Sequence, residues 1–192
     1  MNKVKIKKYV GRIFLAIIIT SWLFLIFYSS PEKLVDWIGV KNAYAMMFFL
    51  ALLGGMSTFS GIPYHLVLVS LSLGGLNPFF LGLFTALGVM LGDATSYFIA
   101  SKGEIILPEN LKSRLHKIHG FSARHPKLLP LFFLFYGSFS PLSNDFIVIS
   151  MGLARYPFWK VMLPLGAGNL IFNISLAFLA EYVYDLLPGL FS

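Results

Sequence analysis

An apolar stretch in the second half of the chain is broken in its middle by polar residues. Leu128 to Phe139 (LLPLFFLFYGSF) runs into FSPLSN, residues 139–144, then Asp145, and the apolar pattern resumes over Phe146 to Leu153 (FIVISMGL). Neither half reaches the roughly 20 residues a crossing helix needs, and apolar segments of about 10–14 residues are more often re-entrant or interfacial. Non-helical backbone at membrane depth is tolerated only where protein or a water-filled cavity covers its polar groups. An ionisable residue at such a tip is a functional-site hypothesis by default. The element resembles those of transporters, and it directs the reading of the rest.

Composition agrees with a membrane setting. The chain is 57% hydrophobic and only 12% charged, with 20 Phe, which excludes an ordinary soluble domain. Its 192 residues allow one compact membrane domain and no appended soluble enzyme. The lack of cysteine excludes disulfides, thiolate metal sites and cysteine nucleophiles. A net charge of +7 could suggest nucleic acid, but the basic residues flank apolar segments, as expected beside anionic lipid. Membrane lipids are therefore the expected partners, with room for a homo-oligomer and no role for nucleic acid.

The expected organisation is all-α. Residues 1–42 hold a basic start, a first spanning helix over Ile13 to Tyr28 and an external linker. A membrane domain over 43–180 follows, built from a hairpin at 43–75, a spanning helix at 79–100, a surface helix at 108–120, a second hairpin at 128–154 and a spanning helix at 158–180. The tail is 181–192. The surface helix is amphipathic, with Leu111, Leu115 and Ile118 on one face and Lys112, Arg114 and Lys117 off it. With the N-terminus cytoplasmic and the C-terminus external, only Lys33 and Lys41 of the 15 Lys and Arg fall outside, which satisfies the positive-inside rule. The amphipathic helix is then cytoplasmic.

A weak internal repeat has a spacing of 80 residues. It pairs Phe59 with Phe139, Ser60 with Ser140, His65 with Asp145, Gly88 with Gly168 and Asp93 with Asn173. Each unit is a hairpin plus one crossing, an odd number, so the two copies must have opposite topology. The fold class expected is three spanning helices and two opposed re-entrant hairpins in an inverted repeat, a recurring transporter design.

Gly88-Val89-Met90-Leu91-Gly92-Asp93 with Tyr97, and Gly152-Leu153-Ala154-Arg155-Tyr156-Pro157-Phe158, are similar to motifs of the DedA family, also called SNARE-associated or VTT-domain proteins. The resemblance covers about residues 43–180 and includes the order of the elements. It implies movement of phospholipid or polyprenyl phosphate across a prokaryotic plasma membrane, as a scramblase or a proton-linked flippase. The chain departs from the family pattern at both hairpin tips. His65 stands where the first tip commonly has Glu, and Ser138 and Asn144 replace the two arginines of the second, which removes the bidentate grip on phosphate.

The candidate pathway residues are Asp145, Asn144, His65, Asp93, Asn169 and Asn173. Gly61, Pro63, Ser140 and Pro141 form the tips, and Arg155 is placed to meet headgroups. Asp145 or Asn144 could instead cap the half-helix beginning at Phe146. His65 could pack as a neutral ring or share a proton with Asp145. Asp93 could simply bond Thr95, Ser96 or Asn173. Asn169 and Asn173 share one helix face, and Gly88 and Gly92 form a GxxxG suited to close helix packing. His116, His119 and His125 lie in a basic segment without Cys, which reads as a solvated face and not a metal site. No nucleotide loop or hydrolase motif is present, so no enzyme and no cofactor are expected. An ion-coupled transporter of a small soluble solute and a non-transporting scaffold remain as alternatives.

Overall fold

The computed structural model describes residues 31–56, 64–102, 128–140 and 143–186. The first spanning helix, the surface helix with its three histidines, and the tip residues Gly61, Pro63 and Pro141 lie outside the described residues. Every described element is helical: α1 (Pro31–Ile38), α2 (Val40–Gly55), α3 (Tyr64–Leu73), α4 (Pro78–Lys102), α5 (Leu128–Phe139), α6 (Asp145–Leu153) and α7 (Phe158–Leu186).

Three boundaries differ from those read in the sequence. The expected linker contains α1, which opens on Pro31, where a missing N–H costs nothing. It closes on Gly39 at φ 82°, whose N–H bonds the Val35 carbonyl at 2.8 Å. The second helix starts at Val40, three residues early, because the Gly39 carbonyl accepts from the Ala43 N–H. The last helix continues past Ala180 to Leu186 through the half-buried Glu181, since a single acidic residue does not interrupt a helix.

The turn into α4 follows from two residues. Asn77 Oδ1 accepts from the N–H groups of Phe79 and Phe80 at 3.1 and 3.2 Å, satisfying donors that every helix start leaves open. Pro78 fills the first helical position, where proline is favoured.

The two halves end their hairpins in the same way. In the first, Leu76 N–H bonds the Leu71 carbonyl, Gly74 N–H bonds Ser70 and Gly75 N–H bonds Ser72. Each bond recurs 80 residues later: Tyr156 to Met151, Ala154 to Ser150 and Arg155 to Gly152. This is the six-to-one closure of a helix C-terminus, with a left-handed residue just beyond it. Gly75 has φ 83° and its counterpart Arg155 has φ 49°. Glycine adopts that region freely, whereas arginine bears a steric cost there.

Tertiary contacts repeat as well. Ser72 Oγ donates to the Ala177 carbonyl at 2.7 Å. At the matching place, a Cβ on Gly152 would lie 2.7 Å from the Tyr97 carbonyl. Gly88 meets the Phe48 carbonyl of α2, and its counterpart Gly168 meets the Leu134 carbonyl of α5. Each long helix thus packs on the first arm of its own hairpin and on the second arm of the other one, and α4 and α7 pack on each other. Gly82 faces Ile174 and Gly166 faces Met90, so these two run antiparallel.

One apolar core lies around Met47, Leu68, Leu71 and Leu81, and a second around Phe133, Val148, Val161 and Leu165. The outward faces of α4 and α7 are also apolar, exposing Phe80, Leu91, Ile99, Leu163, Ile171 and Leu179. Both helices are long and apolar enough to cross a membrane.

Because Gly88 and Gly168 touch backbone, their neighbours have little room to yield. Gly88→Ala and Gly168→Ala are each expected to cost about 1–3 kcal/mol through overpacking. Gly75 has nothing within 4 Å of a Cβ, so Gly75→Asn, which tolerates the left-handed region, should cost less than either. Thermal unfolding in detergent measures all three.

Candidate functional site

The second hairpin breaks where α5 ends at Phe139 and α6 begins at Asp145. Ser140 continues the last turn of α5, its N–H bonding the Tyr136 carbonyl at 2.9 Å. Tyr136 hydroxyl donates to the Ser143 carbonyl at 3.0 Å, fastening the far side of the break to α5. Ser143 Oγ donates to Asp145 Oδ2 at 2.9 Å and accepts from the Asp145 N–H at 3.3 Å. Asp145 is thereby held at the first turn of a helix, where the dipole favours a carboxylate.

Asn144 precedes α6 but makes no side-chain cap bond. Its main-chain carbonyl accepts from Ile147 and Val148, while its amide turns inward. Asn144 Nδ2 donates to Asp93 Oδ2 at 2.9 Å and to Asn169 Oδ1 at 3.1 Å. One asparagine therefore joins the second hairpin's tip to both long helices. A hydrogen bond to a charged group is worth about 1.5–3 kcal/mol, against about 1 for a neutral pair.

The path continues along α7. Asn173 Nδ2 donates to the Asn169 carbonyl at 2.8 Å. From the pairing of Gly82 with Ile174, Asn173 lies about ten residues from the level of Asp93, or ~15 Å at 1.5 Å per residue. Asp93 and Asn173 are each 1% exposed, Asp145 3% and Asn169 6%, while Asn144 is half-buried. Asn169 Nδ2 and Asn173 Oδ1 have no hydrogen-bond partner. The described cations, Lys33, Lys41, Lys102, Arg155 and Lys160, are all exposed, and none enters the row.

Asp93, Asn144, Asn169, Asp145 and Asn173 are thus assembled along one buried row. The hydrogen bonds of Asp93 differ from those expected. Thr95 bonds the Leu91 carbonyl within its own helix, and Ser96 reaches the Gly55 and Met56 carbonyls at the end of α2. The His65 ring is tilted against Tyr64 at 4.0 Å and meets Phe172, which adjoins Asn173, edge-on at 5.5 Å. Arg155 is exposed at the left-handed end of α6. Gly88 and Gly92 both touch α2 backbone. Ser138 bonds the Leu134 carbonyl and does not join the row. Among the described residues no three His, Asp or Glu converge as a metal site would require.

One residue of the site was not singled out in the sequence: Ser143, which orients Asp145. No family model, curated protein or solved structure matches the chain.

The Asn144–Asp93 bond should be measurable as a coupling energy. In a thermal-unfolding cycle of Asn144→Ala, Asp93→Ala and the double variant, the coupling is expected to be about 1–3 kcal/mol. Strict additivity would mean that the bond contributes nothing.

Proposed function

We propose that this chain is a multi-pass protein of a prokaryotic plasma membrane, related to the DedA family, that moves lipid across the bilayer. The observation that carries the reading is the buried row from Asp93 through Asn144 and Asn169 to Asn173, lying inside an apolar body at a helix break. Polar groups there cost several kcal/mol when unpartnered in hydrocarbon, so a purely structural core has little use for them. They suit a headgroup that must leave water while its chains stay in lipid.

In this reading the hairpins are re-entrant and opposed, and their tips approach the midplane beside α4 and α7. The recurrence of hairpin-end bonds at a spacing of 80 supports an inverted repeat. A headgroup entering from the cytoplasmic side passes the exposed Arg155. It then exchanges hydrogen bonds along Asp145, Asn144, Asp93, Asn169 and Asn173, with His65 beside the first tip.

A second reading is favoured by one specific observation. Among the described residues the row holds two carboxylates and no cation, a poor bed for phosphate and a better one for a proton or small cation. Ion-coupled transport of a small solute fits that chemistry.

Liposomes with labelled lipids, with and without a pH gradient, separate the two. Lipid transfer by wild type is expected, with Asp145→Asn abolishing it and leaving the folded protein intact. Asp93→Asn should impair transfer less, since an amide oxygen can still accept from Asn144. No lipid transfer under either condition would leave the solute reading.

Topology has its own test, and the chain's lack of cysteine makes it clean. Cysteines at Asn42 and Asn77 should label from one side of the membrane. A pair at Leu128 and Pro157 should label together from the opposite side. A split within either pair would mean that hairpin spans the membrane.

A further inference from the structure

An open groove runs along the outside of the molecule where α4 meets the start of α7. Leu87, Met90, Leu91 and Ala94 line it from α4, and Phe158 and Met162 from α7. Its volume is about 260 Å³. Leu87 to Ala94 carries it ~10 Å along α4 at 1.5 Å per residue. Such a space takes a slender chain, whereas a helix of roughly 10–12 Å diameter would stand out of it.

Aromatic rings mark one end of the groove. Phe158 stacks on Phe98 at 4.8 Å and meets Tyr97 at 5.2 Å. Trp159, also in the lining, is 64% exposed, and its indole suits the level where lipid tails give way to headgroups. Cations lie just past this end. Lys102 continues the stripe of Leu91, Ala94 and Phe98 at helical spacing, one turn or ~6 Å beyond Phe98. Arg155 precedes Phe158 by three residues, so at most ~11 Å of chain separates them. That segment is fastened to the same end of α4. The Tyr97 hydroxyl donates to the Tyr156 carbonyl, and a Cβ on Gly152 would come within 2.9 Å of the Ala100 side chain. Lys102 and Arg155 are both exposed.

The backbone of Arg155 is a second, independent observation. The matching end of the first hairpin carries Gly75 at φ 83°, while Arg155 holds φ 49°. A side chain bears a steric cost in that region, and such costs cluster where function requires them.

We propose that this groove is a standing site for one anionic phospholipid, with an acyl chain between α4 and α7 and the phosphate held by Arg155 and Lys102. Arginine grips phosphate oxygens with paired N–H groups, lysine adds its charge, and each buried methylene strengthens the hold. A zwitterionic lipid has the same tails but carries its own cation, so it gains less from the two side chains. The site requires the membrane placement proposed above and does not depend on what the polar row carries.

Two measurements on the full chain test this. In the first, the protein in detergent is given equal amounts of phosphatidylglycerol and phosphatidylcholine with identical tails, and bound lipid is counted by native mass spectrometry. One retained phosphatidylglycerol is expected, favoured about tenfold over phosphatidylcholine. Arg155→Gly should erase the preference without lowering Tm in lipid-free detergent, because glycine adopts the left-handed region freely. Lys102→Gln, at an exposed helix end, should weaken it as well. Equal retention of the two lipids by wild type, or a preference that survives both substitutions, would overturn the site.

The second measurement locates the chain. Nanodiscs made mainly of phosphatidylcholine carry a little phosphatidylglycerol with a photoreactive diazirine midway along one tail. Labelling should concentrate around Met90 and Met162, fall in Ala94→Phe, which narrows the groove, and yield to unlabelled phosphatidylglycerol but not to phosphatidylcholine. Labelling spread evenly over exposed residues such as Ile171 and Leu179 would mean ordinary lipid contact and refute the proposal. Phosphatidylglycerol held in the groove by a protein that transfers no lipid would support the site while removing the proposed function.

Discussion

Wherever a helix stops inside an apolar body, the carbonyls and N–H groups it frees must find partners within the protein, because neither lipid nor a hydrophobic core supplies any. Much of this structure answers that demand with side-chain hydroxyls and amides. Ser96 covers the carbonyls that end α2. Ser72 reaches a carbonyl of α7, and Tyr136 reaches the break before α6. Tyr97, on α4, donates to the Tyr156 carbonyl just beyond α6. These bonds tie the short helices to the two long ones, and the break before α6 lies beside Asp93 and Asn169.

The glycines make those bonds geometrically available. Gly88 and Gly92 bring α4 into backbone contact with α2, and Gly137 and Gly168 do the same for α5 and α7. Because each hairpin's second arm packs on the long helix of the other half, neither half is complete alone. The exchange also fixes the placement of the polar residues. A tip residue from one half meets a helix residue from the other, as Asn144 meets Asp93.

The row is electrostatically one-sided. Two carboxylates lie buried in it, while the described lysines and arginines remain on the surface. Interaction between like charges strengthens as the effective dielectric falls, so a proton or a cation is the natural way to relieve such a pair. Ser138 bonds its own helix, and Asn144 is a neutral bridge between α4 and α7.

Helical content, the broken apolar segments and most helix limits can be read along the chain, because these follow from local runs of apolar residues and from breakers such as Asn77-Pro78. The sequence also contained the 80-residue repeat, whose matched bonds at Leu76 and Tyr156 depend on short-range turn chemistry. The helix in 31–38 was hidden because its charged and polar residues read as a linker. Which polar residues meet is set by helix packing. Asn144, Asp93 and Asn169 are far apart in the chain, and their contact depends on the crossing of α4 and α7 and on where α6 lands. The same packing put His65 against Phe172. Such choices are made by shape complementarity between helices, which a residue pattern along one strand of sequence does not encode.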